Sequence, residues 1–169
     1  FTQWSGDYSG SNPSGSVLMN QPKEVIAGWQ TQYYLTVTSA RDDPQGQGWY
    51  NSGATANFSV TSPADESNGT RYVFTQWSGD YSSSNPSGSV VMSSPKEVVA
   101  NWQTQYFLST ANNPSQGGDI TPAVPGAWYN SGTNAQLDAT EASGYQWAGW
   151  SGDLSGMTRP TQLLMNSPK

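Results

Sequence analysis

The 169-residue chain has neither cysteine nor histidine, and it carries few charges. Without cysteine, no disulfide can stabilise the fold. The absence of both residue types also removes the usual nucleophile–base pairs of enzymes, so we do not expect an enzyme. The 6 Lys and Arg residues are spread singly along the chain. Because phosphate neutralisation needs clustered Lys and Arg, we do not expect nucleic-acid binding either.

Long apolar runs and helical patterns are also missing. No run of about 18 apolar residues occurs, so we expect no membrane span in this segment. Apolar residues do not recur at helical spacing, and Gly and Pro interrupt the chain throughout. Alternation typical of half-buried strands occurs instead, as in Tyr34–Thr38 and Asn57–Thr61. The sequence therefore predicts an all-β protein, with strands in its middle part near residues 33–40, 46–50, 54–61, 70–78, 88–92 and 96–104.

One motif occurs three times along the chain. Phe-Thr-Gln-Trp-Ser-Gly-Asp begins at Phe1 and again at Phe74, and a looser copy begins at Trp147. Equivalent residues are 73 positions apart, and residues 1–35 share 28 identities with residues 74–108. An internal repeat of this length indicates tandem copies of one small domain. We therefore predict tandem β-domains of about 73 residues, either β-grasp-like or Ig-like sandwiches, in a rod-like array.

The order of the motifs predicts where each repeat begins and ends. Residues 1–32 would be the C-terminal half of one repeat, residues 33–105 a complete repeat, and residues 106–169 a repeat that lacks its last strand. The chain would then be a window cut from a longer array. In the alternative, a neighbouring copy supplies the missing strand by strand addition. The candidate segment for such an exchange contains Lys23, Val25, Ala27 and Trp29.

No Gly or Pro separates the last strand of the complete repeat from the first strand of the next. The segment Trp102–Leu108 runs on without a break. This predicts a nearly continuous extended strand across the boundary, and hence a stiff connection instead of a flexible linker.

We interpret the Trp-Ser-Gly-Asp motif as structural. The tryptophan would fill the core, the glycine would permit a turn, and the aspartate would bond to nearby backbone amides. The residues assigned to this motif are Trp4, Trp77, Trp150, Gly6, Gly79 and Gly152. A calcium site on Asp7, Asp80 and Asp153 is a weak alternative, because calcium takes six to eight oxygens and each repeat offers one carboxylate. We expect no other cofactor or metal. The lysine that begins the following strand in each repeat is expected to be exposed.

Glycans could be attached to the chain or bound by it. Sequons occur at Asn57 and Asn68, and Asn68, in a predicted loop, is the better glycosylation candidate. The aromatic residues that could stack on sugars are Trp49, Tyr50, Trp128 and Tyr129. Because neighbouring residues of a strand face opposite sides, we expect at least one ring of each pair in the core.

Together these motifs resemble the divergent internalin B-repeat family. The segments Trp77–Asp80 and Pro95–Trp102 carry the resemblance best, and in permuted order it extends over essentially the whole chain. One departure is Ala-x-Trp where most such repeats have Ala-x-Phe. The resemblance implies an all-β or β-grasp-like module without known catalytic residues, found in tandem in secreted and surface proteins of bacteria and archaea.

We therefore expect a structural or adhesive repeat segment of an extracellular or cell-surface protein. It would form a rigid stalk, or the body of a filament or sheath, with strand exchange as one way in which neighbouring subunits join. Its partners would be other copies or neighbouring repeats. The alternative, from another class, is an accessory carbohydrate-binding module of a secreted enzyme, whose partners would be glycans.

Overall fold

The computed structural model describes residues 1–169, and it contains 13 β-strands and no α-helix. The all-β prediction is therefore confirmed. The strands are β1 (Trp4–Gly6), β2 (Val25–Ala27), β3 (Gln32–Ser39), β4 (Gly48–Asn51), β5 (Thr55–Ser59), β6 (Ala64–Ser67), β7 (Thr70–Gly79), β8 (Ser87–Val91), β9 (Lys96–Ser109), β10 (Gly118–Thr121), β11 (Gly126–Asn130), β12 (Asn134–Glu141) and β13 (Thr161–Leu164). No element is a helix that could cross a membrane.

The largest sheet has six strands and is organised around β9. Its order is β4-β3-β9-β7-β6, and β11 also pairs with β9. The β3–β9 pair is parallel, with Leu35 opposite Lys96 and Ser39 opposite Ala100. All the other pairs in this sheet are antiparallel. As a result, β9 lies between β3 and β7 along its first half.

The main core lies between this sheet and the two-stranded β5–β8 sheet. Alternate residues of β5 and β3 point into it, as the period of two in the sequence requires. Trp77 at its centre is fully buried and packs against Phe58, with ring centroids 4.9 Å apart. The buried residues are Leu35, Val37, Ala56, Phe58, Val60, Phe74, Trp77, Val90, Met92, Val98 and Ala100.

A smaller second core repeats the pattern of the first. Its buried residues are Leu108, Ala135, Leu137 and Met165. The residues at the matching positions of the sequence repeat are Leu35, Ala56, Phe58 and Met92, and all four belong to the first core. The same sequence pattern therefore buries the same positions twice. The tandem-domain arrangement and the boundaries at 32/33 and 105/106 stay predictions.

All six predicted middle strands are present, but a seventh, β6, was not predicted. It forms a hairpin with β7, and its two turn residues, Asn68 and Gly69, both have positive φ, of 49° and 71°. Two consecutive positive φ angles are typical of the type I′ turn that Asn-Gly favours. The segment assigned to a loop is thus the tip of a hairpin.

The two outer parts of the chain are less regular than the middle. The only paired strands within residues 1–31 are β1 and β2, in which Trp4 lies opposite Ala27, as Trp77 lies opposite Ala100 in the middle. In the C-terminal part, β10 and β13 flank β12. No strand forms over residues 147–153, where the repeat places the counterpart of β7; only a single bridge joins Trp150 to Gly156.

Candidate functional site

The three motif tryptophans lie in different surroundings. Trp77 is buried between Phe58 and Phe74, whereas Trp4 and Trp150 are half-buried. Trp150 packs against the second core. The indole N–H of Trp4 donates to the carbonyl of Asn12 at 3.1 Å, and that of Trp150 to the carbonyl of Thr158 at 3.1 Å. The indole N–H of Trp77 is buried without a hydrogen-bond acceptor.

The motif glycine is required by the close approach of another strand. Gly79 has φ +94°, and a Cβ placed on it would lie 2.5 Å from the carbonyl oxygen of Glu97. Gly6 has φ +91° and would meet the carbonyl oxygen of Glu24 at the same 2.5 Å. Gly152 shares the positive φ, at +98°, but no atom lies within 4 Å of its Cβ position. The third motif therefore keeps its shape without the strand that the other two contact.

The motif aspartate joins Trp-Ser-Gly-Asp to the Pro-Lys segment that follows it, which continues into Glu in the first two copies. The carboxylate of Asp80 accepts the backbone N–H of Glu97 at 2.8 Å, and the Asp80 N–H donates to the Glu97 carbonyl at 2.8 Å. The ammonium group of Lys96 lies 3.7 Å from the same carboxylate. We call this arrangement the Asp–Lys clasp.

The clasp recurs in the first repeat segment, and its aspartate–lysine pair recurs in the third. Asp7 accepts from the Glu24 N–H at 2.9 Å and lies 3.3 Å from the ammonium of Lys23. Asp153 and Lys169 are 3.9 Å apart. The three lysine side chains are only 17–19% exposed, so the expectation of exposed lysines is wrong. The reason is that each lysine lies across the turn and reaches the clasp.

The proposed calcium ligands are therefore the carboxylates of these clasps. Each faces a lysine ammonium, and in two of the three it also accepts a backbone N–H. No group of three or more acidic side chains is placed to hold a metal ion. Calcium binding stays a prediction, and the clasp geometry gives it no support.

The junction between the second and third repeat segments lies inside β9. This strand has 14 residues and runs through the predicted boundary at 105/106. The continuous strand expected from the sequence is therefore present. Residues 96–100 pair with β3, residues 98–106 with β7, and residues 105–109 with β11. One strand thus serves both segments, and no linker separates them.

The tip of the β6–β7 hairpin holds this junction from one side. The Phe107 N–H donates to the Gly69 carbonyl at 2.8 Å, and a Cβ on Gly69 would lie 2.9 Å from Pro168. Arg71 donates from Nε to the side-chain oxygen of Gln105 at 2.8 Å. Its guanidinium lies 4.4 Å from the ring centroid of Trp128. We call Gly69, Arg71, Gln105, Phe107 and Trp128 the junction cluster.

The candidate sugar-stacking rings divide as expected between core and surface. Tyr50 packs against the first core and Tyr129 against the second. Trp49 is 66% exposed and meets Tyr34 edge-on at 5.3 Å. Trp128 makes the same kind of pair with Phe107, at 5.3 Å, but Arg71 covers it. Only Trp49 therefore offers an open aromatic face.

The remaining predicted site residues are on the surface. Asn57 is exposed on β5 and Asn68 is exposed at the hairpin turn. Of the strand-exchange candidates, Lys23 belongs to a clasp, Val25 and Ala27 lie in β2, and Trp29 is 76% exposed. Sequence reasoning missed Arg71, although the Asn-Gly dipeptide two residues before it signals the hairpin that places it.

The ion pair between Glu141 and Arg159 lies outside the motifs, and it shifts the pKa of both groups. A hydrogen bond from Arg159 lowers the pKa of Glu141, and the same bond raises the pKa of Arg159. Arg159 also donates to the carbonyl of Ala139 at 2.7 Å and lies 5.1 Å from the Trp147 ring centroid. The pair fastens the end of β12 to the segment that precedes β13.

Comparison with known proteins gives one match. Residues 108–169 match the family model described as the divergent InlB B-repeat domain. The resemblance seen in the sequence is confirmed for residues 108–169, and its extension over residues 1–107 stays a prediction. Repeats of this family are typical of surface-associated or secreted bacterial proteins, which supports a surface or repeat protein. No curated protein and no solved structure is significantly similar to the chain.

Proposed function

We propose that the chain is a stiff repeat segment of a secreted or cell-surface protein, and that it forms a rigid stalk or the body of a filament or sheath. The observation that carries this proposal is the linkerless junction in β9. A strand that pairs with β3, β7 and β11 cannot bend between the segments without breaking ladder hydrogen bonds. The role of the segment would be mechanical, because the shared strand fixes the orientation of each segment relative to the next.

The junction cluster supports the same proposal. Arg71 is anchored in β7 of the second segment, yet its guanidinium stacks on Trp128 of the third. Such cation–π contacts contribute about 0.5–2 kcal/mol, depending on how far they are desolvated. The Gly69–Phe107 hydrogen bond adds another point of attachment. Bending at the junction would have to break all of them together.

The test measures the distance between the two segments in solution. The repeat-equivalent residues Asn57 and Gln136 are exposed strand positions, and the chain has no native cysteine, so Asn57→Cys and Gln136→Cys can carry spin labels. We expect a narrow distance distribution by pulsed electron paramagnetic resonance. Two glycines inserted between Gln103 and Thr104, inside β9, should broaden it at least twofold.

The matched control inserts the same two glycines between Ser115 and Gln116, in an exposed loop. This control should leave the distribution unchanged. Equal widths for the parent chain and the β9 insertion would contradict the stiff junction. That the chain is not an enzyme, that it is extracellular, and that it carries glycans on Asn57 or Asn68 stay predictions.

A carbohydrate-binding module remains the second candidate, and the exposed Trp49–Tyr34 pair is the observation that favours it. One exposed ring can stack on a sugar face. A glycan array probed with the parent chain and with Trp49→Ala tests it. Saturable binding that is lost in Trp49→Ala would support the module, whereas binding to no glycan would remove it.

A further inference from the structure

The tip of the β6–β7 hairpin contains the only Asn-Gly pair of the sequence, Asn68-Gly69. Asn68 is exposed, and its side-chain amide makes no hydrogen bond within the chain. The peptide group between the two residues is equally free, because neither the Asn68 carbonyl nor the Gly69 N–H has a hydrogen-bond partner. This peptide group can therefore rotate until the Gly69 nitrogen meets the Asn68 side chain.

An asparagine that precedes glycine can react with its own backbone. The backbone nitrogen of the glycine attacks Cγ of the asparagine, so that a C–N bond forms, the nitrogen loses its proton and the side-chain amide leaves as ammonia. Water then opens the resulting cyclic imide at one of its two carbonyl groups, which gives either aspartate or isoaspartate. Glycine favours the attack because no Cβ lies beside its nitrogen.

Two other exposed asparagines at turns, Asn51 and Asn130, are held against this reaction. The Ser52 N–H donates to the Thr31 carbonyl at 2.8 Å, and the Asn51 carbonyl accepts from the Ala54 N–H at 2.9 Å. The peptide group after Asn130 is held at both ends in the same way, by bonds of 2.9 and 3.1 Å. The side-chain oxygen of each asparagine also accepts a glutamine amide N–H. Both asparagines precede serine, so a Cβ adds to the hindrance.

We propose that Asn68-Gly69 is a deamidation site, and that isoaspartate formed there releases the hairpin tip from the third segment. In the unmodified turn, the Phe107 N–H donates to the Gly69 carbonyl at 2.8 Å. Isoaspartate routes the main chain through the former side chain, so the backbone between Asn68 and Gly69 gains a carbon atom. A two-residue type I′ turn has no place for this atom, and the Gly69 carbonyl must move away from Phe107.

The surroundings of the tip leave little room to absorb the change. A Cβ on Gly69 would lie 2.9 Å from the Pro168 side chain and 3.7 Å from that of Phe107, so the backbone of the tip lies close to both. The product also adds a negative charge near the exposed carboxylates of Asp65 and Glu66 in β6. Like charges repel, so the added charge opposes the original position of the tip.

The consequence for stiffness rests on the proposed function, because only a stiff junction can be loosened by this modification. The junction would then weaken with the age of the chain, without any enzyme. The reaction needs only water and the two residues of the turn.

Peptide mapping of the aged chain tests the modification itself. The chain is produced in cells without N-glycosylation, because Asn68 is also the predicted glycosylation site, and it is incubated at mildly alkaline pH. Trypsin then releases Asp42–Arg71, which carries Asn68 together with Asn51 and Asn57 as internal references. We expect conversion of amide to acid at least tenfold faster at Asn68 than at Asn51, with isoaspartate identified by electron-transfer fragmentation. Equal rates at the two positions would overturn the proposal.

Hydrogen exchange measured by nuclear magnetic resonance tests the release of the tip. Ion exchange separates the modified chain through its added charge. The Phe107 amide should exchange at least tenfold faster in the isoaspartate form than in the fresh chain, whereas amides of residues 98–102 in β9 should keep their rates. Unchanged exchange at Phe107 would overturn the proposal.

The matched control is Asn68→Gly, which has no side chain to cyclise and keeps a Gly-Gly pair suited to the type I′ turn. Ageing this variant should leave the exchange of Phe107 unchanged, and faster exchange would overturn the proposal because the change would then arise elsewhere. Neither measurement depends on stiffness. A broad spin-label distance distribution in the fresh chain would contradict the stiff segment alone.

Discussion

Replacing the motif glycine tests whether the Trp-Ser-Gly-Asp motif needs glycine because a neighbouring strand lies so close to it. The perturbation is Gly79→Ala, and its matched control is Gly152→Ala, the equivalent change in the third copy. Both glycines have nearly the same backbone angle, φ +94° and +98°. Only Gly79 faces a neighbouring strand, whose carbonyl oxygen on Glu97 would be 2.5 Å from the new Cβ.

The structure separates two contributions to the loss of stability. A non-glycine residue at such a φ is strained by about 1–3 kcal/mol, and both variants carry this cost. In Gly79→Ala the Cβ must also push back the backbone of β9, and overpacking of this kind costs about 1–3 kcal/mol more. We therefore expect Gly79→Ala to lose about 2–6 kcal/mol of unfolding free energy and Gly152→Ala only about 1–3 kcal/mol.

Urea unfolding followed by circular dichroism measures both losses, because the 8 tryptophans of the chain would mix their fluorescence signals. A third variant, Gly6→Ala, has the close carbonyl contact of Gly79 in the first segment and should disrupt the β1–β2 pair. Losses that are equal within error for Gly79→Ala and Gly152→Ala would refute the reasoning. The motif glycine would then be needed for its backbone angle alone.

Three further predictions concern other parts of the molecule. Arg71→Ala should lower the unfolding free energy by only about 1 kcal/mol, yet it should broaden the spin-label distance distribution between the two segments. Trp77→Ala should cost about 3–5 kcal/mol, whereas Trp4→Ala, at a half-buried position outside both cores, should cost far less in urea unfolding. Because Arg159 lowers the pKa of Glu141 from 4.5, the pair stabilises the fold above that pH, and its contribution is lost as the pH falls below it. In Glu141→Gln, the melting temperature should therefore fall less than in the parent chain as the pH is lowered from neutral to acidic.

Strand positions could be predicted because their signals are local. Alternation in Tyr34–Thr38 and the Gly- and Pro-free stretch Trp102–Leu108 correspond to β3 and the second half of β9. The β6–β7 hairpin was missed because β6 reads Ala-Asp-Glu-Ser, a polar sequence with low strand propensity. Its Asn-Gly turn was the stronger signal.

The junction cluster could not be predicted from local patterns. Arg71 and Trp128 are far apart in the sequence, and they meet only because β7 and β11 lie beside the same strand. The spacing between the tryptophans of each segment does indicate one part of this arrangement, the position of the hairpin. Trp49 and Trp77 are 28 residues apart, but Trp128 and Trp150 are only 22 apart. The third segment is therefore shorter in the region where the second forms its hairpin.

The partial burial of the clasp lysines also depends on tertiary structure. A lysine that follows proline at the start of a strand is predicted to lie on the surface, since lysine is seldom buried. Its stem instead lies along the turn, and its ammonium group reaches an aspartate 16 residues earlier in the chain, as Lys23 reaches Asp7. The sequence shows that the aspartate and the lysine recur together, but it does not show that their side chains come into contact.

The stiffness of the junction is the central claim, and residual dipolar couplings measure it most directly. Backbone amides in residues 33–104 and in residues 107–169 would be fitted separately in the same weakly aligned sample. The shared β9 strand and the junction cluster predict one alignment tensor, with equal magnitude and orientation for both sets. Two tensors of different magnitude would show that the segments move independently and would contradict the account.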